Sequence, residues 1–373
     1  MKIKTITCHD VYNSGASLQA YALEKYLQEM GHEVEIIDYK PDYLSGHYKL
    51  ATVSNPKYNN SLILKITYIL LKLPGRLWAL RTKKVFDDFR EKYLRITDKR
   101  YTSNEELKKN LPDADIYIAG SDQIWNATFQ NGKDKSFYLD FVPDNKIKAS
   151  YAASFATDTF PEEIKEKTSN MIKRIDYISV REKSGLNILK DMDINNAKQV
   201  LDPVFLLNKE HWESICNNSI NKNKQKYLLV YDFDNNPLIK EIALKVSKEK
   251  NLKIYTIFKS NYSDKVLSNI GPIEFLSYIK SAEFVISNSF HATAFSIIFE
   301  KNFIVVNRME KINTRMRDFL LDLNLSKKLV DKNYNFENIL SDINYNEIKE
   351  LLNKNIKYSQ MFLKDILEIK AKA

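Results

Sequence analysis

One stretch narrows the folds open to this chain more than any other: Glu283-Phe-Val-Ile-Ser-Asn-Ser-Phe-His-Ala-Thr-Ala-Phe-Ser-Ile-Ile-Phe299. Glu283 to Ile286 is a short β-rich run, Ser287, Asn288 and Ser289 are three helix-capping residues in a row, and Ala292 to Phe299 repeats apolar residues at helical spacing. The pattern predicts strand, turn, helix. In an open α/β sheet, ligands sit beyond the carboxyl ends of the strands, where a following helix aims its free N–H groups outward. His291 falls at that spot, with Ser287, Asn288 and Ser289 beside it as candidate binding residues. The competing reading is a capping turn whose imidazole only packs or hydrogen-bonds locally.

A chain of 373 residues exceeds what one core usually supports, so two domains are expected, and 44% hydrophobic content supplies both interiors. Cys8 and Cys216 lie far apart with no metal-ligand spacing, which favours a reducing compartment over a disulfide framework. No other metal-ligand cluster stands out. The opening residues run directly into an apparent strand without a charged-then-apolar leader, so the expected location is cytoplasmic. A net charge of +9 suits an anionic small molecule, a membrane surface or nucleic acid alike. The basic residues are spread out and no nucleic-acid-binding signature accompanies them, so nucleic acid is not an expected partner.

Lys4 to Cys8 reads as a strand, Asp10 to Ala16 as a loop, Ser17 to Met30 as a helix and Val34 to Tyr39 as a second strand, which together make a βαβ unit. In the first loop, Asn13 and Gly15 are candidate ligand contacts, Gly15 being free to take positive φ. A plain tight turn explains them equally well, because a dinucleotide fingerprint needs more glycines. A further strand, Asp115 to Ala119, leads into Gly120-Ser-Asp-Gln-Ile-Trp-Asn126. There Ser121, Asp122, Gln123 and Asn126 occupy a strand's carboxyl end. Trp125 is either a wall of that site or an anchor of its loop. Arg181 follows another apolar run and is able to fork onto a carboxylate or phosphate. A salt bridge to Glu182 or another neighbour is the alternative. Asp202-Pro203 reads as a turn.

The expected domains are 1–207 and 227–345, doubly wound and Rossmann-like, facing a cleft. A polar linker, 208–226, joins them, and C-terminal helices over 346–373 are expected to cross back to the first domain. Glu274 to Lys280 is expected to be a short helix. Arg308, Lys311, Arg315 and Arg317 crowd the segment after the strand Phe303 to Asn307, near the His291 turn if neighbouring elements adjoin in space. The most apolar stretch, Ser61 to Leu73, is broken by Lys65 and Lys72 and stops at Pro74-Gly75, short of a bilayer span. With the basic residues up to Arg90 it reads as a peripheral membrane helix or as an amphipathic helix packed on its own domain.

Taken in order, Asn-Ser-Gly-Ala from Asn13, Gly-Ser-Asp-Gln-Ile-Trp-Asn from Gly120, Ser-Tyr-Ala-Ala-Ser-Phe ending at Phe155, Ser-Val-Arg-Glu from Ser179, Leu-Asp-Pro-Val-Phe-Leu-Leu from Leu201 and Ser-Phe-His-Ala-Thr-Ala-Phe from Ser289 resemble the polysaccharide pyruvyl transferase family. The likeness spans Asn13 to about Asp318. It implies a glycosyltransferase-B-like pair of Rossmann domains that moves pyruvate from phosphoenolpyruvate to two hydroxyls of a sugar, as a cyclic ketal, without a cofactor. It implies functional roles for Arg181, His291 and Lys311, and as acceptor a glycan of a cell-surface or exported polysaccharide; the basic amphipathic region from Ser61 to Arg90 adds the expectation that this glycan is lipid-linked or polymeric and handled at the cytoplasmic face of the membrane. Many members carry Arg-Leu-His where this chain has Ser289-Phe290-His291, which leaves Arg308 and Arg315 as candidate replacement cations. A nucleotide-sugar glycosyltransferase and a non-catalytic relative of the same shape are the alternative readings.

Overall fold

The computed structural model describes residues 1–44, 61–217, 225–310 and 312–368, and for 74–79 the backbone alone. Its first part contains β1 (Lys2–Ile6), α1 (Ser14–Glu29), β2 (Glu33–Tyr39), α2 (Leu62–Tyr93), β3 (Ile96–Tyr101), α3 (Asn104–Lys109), β4 (Ile116–Ala119), β5 (Ile147–Ser150), α4 (Glu162–Ile172), β6 (Ser179–Val180), α5 (Lys183–Lys190) and β7 (Lys198–Gln199). After α6 (Lys209–Ile215) come β8 (Tyr227–Tyr231), α7 (Pro237–Lys250), β9 (Lys253–Thr256), β10 (Lys265–Val266), α8 (Pro272–Ser281), β11 (Phe284–Ser287), α9 (Phe290–Ile298) and β12 (Asn302–Val306). The chain closes with α10 (Thr314–Asp322), β13 (Leu329–Val330), α11 (Phe336–Leu340) and α12 (Tyr345–Glu368).

Every residue of β4 and of β8 is buried, as expected of strands covered by helices on both faces of a parallel sheet. The first sheet runs β3-β2-β1-β4-β5 and the second β10-β9-β8-β11-β12-β13. All their pairings are parallel, so each sheet has the doubly wound order in which the direction of winding reverses beside its first strand. Single bridges, Ala149 to Tyr177 and Ala153 to Val180, continue the first sheet toward β6. The reversal points lie between β1 and β4 and between β8 and β11, and the loops after those strands carry the candidate site. The fold is therefore α/β with two doubly wound, Rossmann-like domains.

One apolar cluster crosses between the domains, uniting Leu18, Ala22 and Phe89 with Phe275, Phe290 and Phe295. A second places Phe362, Leu363, Ile366 and Leu367 of α12 among Ile3, Leu23 and Ile116 of the first domain. Some expected boundaries move. The first helix begins at Ser14, not Ser17, because the Asn13 side chain accepts a hydrogen bond from the Ala16 amide at 3.1 Å and so caps the helix there. The expected linker contains α6, whose Trp212 is fully buried with its indole N–H donated to Val204 at 3.0 Å. The expected helix over Glu274 to Lys280 extends to Pro272 and Ser281. Of the apolar stretch from Ser61, Leu62 onward forms the free end of α2, while Phe86 and Phe89 further along are buried.

Candidate functional site

α1 starts immediately after its cap, so Gly15 is helical rather than in a loop of positive φ. What requires glycine there is the other domain. A Cβ on Gly15 would lie 2.1 Å from His291 Nδ1 and 2.4 Å from its Cγ, so the imidazole lies against the bare Cα of α1's first turn. α9 begins the same way as α1: Ser289 is in extended conformation and its Oγ accepts from the Ala292 amide at 3.4 Å. Two capped helix N-termini therefore meet from opposite domains, with His291 between them.

His291 Nε2 lies 3.4 Å from Asp202 Oδ2. The same oxygen accepts from Arg181 NH1 at 2.5 Å and from Ser121 Oγ at 3.2 Å, while Asp202 Oδ1 accepts from the Val204 amide at 3.1 Å. Burial by itself would raise the Asp202 carboxyl, but His291 and Arg181 hold it well below the usual carboxylate range. The sequence suggested only a turn at Asp202. It is the point on which Ser121, Arg181 and His291 converge, and the signal available for it was its place inside Leu-Asp-Pro-Val-Phe-Leu-Leu.

Phe290 sits under two guanidinium groups: the carbon of Arg181 is 4.5 Å, and that of Arg315 6.0 Å, from its ring centroid. Asp122 Oδ1 stands 3.8 Å from both Arg181 and Arg315, and its backbone is held at a φ of 75°. That conformation is costly for a residue with a Cβ, and the bridge from Asp122 to Ala153 helps to hold it. Arg315 is buried, and desolvation together with Arg181 brings it down to about 10, so it remains charged at neutral pH. Glu182 accepts from Ser154 Oγ and the Ala156 amide, both at 2.9 Å. Its carboxyl is raised, burial outweighing the pull of Arg181 and Arg315. Arg181 Nε and NH2, Arg315 Nε and His291 Nε2 have no hydrogen-bond partner among the described residues.

The remaining candidates fall elsewhere. Asn126 Nδ2 donates to Gln123 Oε1 at 2.8 Å and Asn126 Oδ1 accepts from Thr128, so these two brace their own loop. Trp125 is fully buried, donates to Phe137 at 3.0 Å and stacks on Tyr138, which makes it the loop's anchor. Ser287 and Asn288 bind the β8 turn, through the Tyr231 carbonyl and the Asp232 carboxylate. Arg308 lies over Phe233 at 5.0 Å and pairs with Asp234 and Glu310. Lys311 lies outside the described residues. Among the described residues no group of His, Cys, Asp and Glu is arranged to hold a metal.

Among solved structures, a protein described as a UDP-N-acetylglucosamine 2-epimerase from Listeria monocytogenes is similar over 100% of this chain and 97% of its own, with a TM-score of 0.55 and 13% identity. A further UDP-N-acetylglucosamine 2-epimerase gives 0.53 at 9% identity, over 100% of this chain and 96% of its own. The S. aureus protein MnaA, solved with UDP, gives 0.50 at 12% identity, over 96% and 90%. At such identities these likenesses speak to fold alone. None of the curated proteins matches this chain. The family model for polysaccharide pyruvyl transferase matches residues 13–308. That span holds both facing helix starts, Arg181, Asp202 and His291, and the chain belongs to the polysaccharide pyruvyl transferase family.

Proposed function

We propose that this protein transfers pyruvate from phosphoenolpyruvate to two hydroxyls of a sugar in a cell-surface or exported polysaccharide, closing a cyclic ketal. The observation that carries this reading is the buried pair Arg181 and Arg315, lying over Phe290 with N–H groups that no acceptor among the described residues takes up, beside His291 at two helix N-termini. Phosphoenolpyruvate brings a phosphate and a carboxylate, and guanidinium forks and helix N-termini are the groups that bind such anions. The ionised charges nearly balance, with Arg181 and Arg315 against Asp202 and Asp122. Recognition therefore rests on directed N–H donors more than on net charge.

In the reaction, a sugar hydroxyl adds to C2 of the enol while C3 takes up a proton, giving a phosphorylated tetrahedral centre. The second hydroxyl then replaces phosphate at C2, and its proton leaves with the phosphate. One proton enters carbon and one is carried off, so the two steps balance without a redox partner. His291 is the group able to move these protons, with the Asp202 carboxylate 3.4 Å from its Nε2. Arg315 serves as the cation that other members supply from the position of Ser289, with Phe290 positioning it.

Calorimetric titration of phosphoenolpyruvate tests the reading. A charge-assisted hydrogen bond contributes about 1.5–3 kcal/mol, so Arg315→Gln is expected to raise Kd by about one to two decades. Lys357→Gln, on an exposed position of α12, is the control and leaves Kd unchanged. Saturable binding of a nucleotide sugar without binding of phosphoenolpyruvate would overturn the proposal in favour of glycosyl transfer.

A further inference from the structure

α2 is divided between two environments. Its C-terminal half enters the protein, where Phe86 meets Tyr12 edge-on at 6.0 Å and Phe89 meets Tyr21 edge-on at 6.2 Å. Its first three turns do not. Leu62 is 73% exposed, Ile63 76%, Leu70 61% and Leu71 74%, with Leu64 and Ile66 also exposed. At about 100° per residue, Ile69, Leu62, Leu73, Ile66, Leu70 and Ile63 fall within an arc of about 120°, and Lys65 and Lys72 border one edge of it. A soluble chain rarely leaves so many large apolar side chains together in water. No helix among the described residues is long and apolar enough to cross a membrane.

We infer that the free end of α2 docks on an anionic lipid surface, its apolar arc lying among the acyl chains at the boundary and its lysines reaching the headgroups. Charge complementarity selects this occupant over a second copy of the chain. From residue 43 to residue 86 the sequence has eight Lys and Arg and no Asp or Glu. Lys83 and Lys84 are paired with Asp87 and Asp88, whereas Lys65, Lys72, Arg76 and Arg81 precede the first carboxylate of the helix. Two identical faces of that composition would repel each other, while phosphate headgroups attract them.

The docked orientation also has a geometric consequence. Thr82 and Phe86 of α2 line a cavity of about 250 Å³ with Tyr12, Ser14, Tyr231 and Phe258, between the loops at the carboxyl ends of both sheets. At 1.5 Å per residue, α2 spans about 22 Å from Leu71 to Phe86, so a docked helix would hold this cleft a short, fixed distance from the lipid. The inference stands on α2 alone and does not depend on the donor or the reaction.

Co-sedimentation of the full chain with vesicles tests it, using phosphatidylcholine alone and phosphatidylcholine with about 30% phosphatidylglycerol, in about 50 mM and about 500 mM salt. Binding is expected to the anionic vesicles at low salt, to fall at least about tenfold at high salt, and to be weak on the neutral ones. The fourfold variant L62S/I63S/I66S/L70S and the charge variant K65E/K72E are each expected to lose about tenfold or more, with melting temperatures unchanged. Absence of wild-type binding to anionic vesicles at low salt, or wild-type binding by the fourfold variant, overturns the inference. A concentration-dependent dimer that the fourfold variant abolishes would assign the face to a second copy and overturn it equally.

Discussion

The turn at Asn13-Ser14-Gly15 and the turn at Ser289-Phe290-His291 are the same device in two domains: an extended capping residue, a side-chain oxygen accepting from the amide three residues on, and a helix N-terminus aimed at the cleft. They differ in bulk, and the difference is one of complementarity. The second turn carries a phenyl ring under two arginines and an imidazole, and the first is reduced to small residues because that imidazole occupies the space a Cβ would need. A glycine that looks like a loop residue is, in three dimensions, the socket for the other domain's histidine. The candidate site is thus built at the contact between the domains, and each domain alone holds half of it.

Removing the imidazole has the largest expected effect. His291→Ala is expected to lower pyruvyl transfer by about two to four decades while the chain stays folded, because the change deletes proton transfer and little of the apolar core. Initial rates of phosphate release, measured beside a melting curve, check it. Activity within threefold of wild type would reduce His291 to a packing residue.

Asp202→Asn attacks the carboxylate beside the ring. Removing one partner from a buried charged pair costs about 3–5 kcal/mol, and Arg181 would lose its carboxylate. The depressed carboxyl makes this effect dependent on pH. The stabilisation by Asp202 is complete above its unfolded pKa, about 3.9, and is lost as pH falls through the lower folded value. The gap in melting temperature between wild type and variant should therefore be full at neutral pH and narrow in acid. A gap that widens in acid would contradict the ionised role.

Gly15→Ala sharpens the comparison, because its sign depends on the other turn. With His291 present, the added methyl collides with the ring and is expected to cost about ten- to a hundredfold in rate, since misplacement of a catalytic group by about 1 Å has that size of effect. In a His291→Gly background the ring and the His291 Cβ, which would lie 2.8 Å from the new methyl, are both gone and alanine suits a helix better than glycine, so the same change should raise stability by up to about 1 kcal/mol. A double-mutant cycle measures the coupling. Equal cost in both backgrounds would show that the contact is incidental.

Much of this architecture was legible in the sequence, and what was missed has physical causes. Buried parallel strands announce themselves as short apolar runs, so β1, β4, β8, β11 and β12 were placed to within a residue or two. Ser14 and Gly15 are poor helix formers, and only the Asn13 cap brings them into α1. α6 lay hidden in a polar stretch because the partners of Trp212, Val204 and Tyr21 among them, are distant in sequence. The same holds at the site. Arg181 and His291 drew notice from their positions after strands, while Asp202 gains its meaning only when residues 121, 181 and 291 come together around it. Gln123 and Asn126 have the side chains of ligand contacts but use them on their own loop, a local arrangement that a pattern of residue types does not reveal.

The mildest test removes the caps and leaves the ring. Replacing an N-cap Ser or Asn by Ala costs about 0.5–2 kcal/mol, because one of the helix's free amides loses its acceptor. Here the two caps should differ. The Asn13 bond is 3.1 Å long and starts the 16-residue α1, while the Ser289 bond is 3.4 Å, and the Ser289 backbone amide is held independently by Ser287 Oγ at 2.9 Å. Asn13→Ala is therefore expected near the middle of that range, about 1 kcal/mol, and Ser289→Ala near its lower end, about 0.5 kcal/mol. Neither should change the rate at saturating donor by more than about threefold, since the ring, its carboxylate and both arginines keep their places. Denaturant melts and saturation kinetics of the two variants read both quantities. If Ser289→Ala instead weakened donor binding tenfold with no loss of stability, its hydroxyl would be a ligand contact, and the two turns would differ in chemistry as well as bulk.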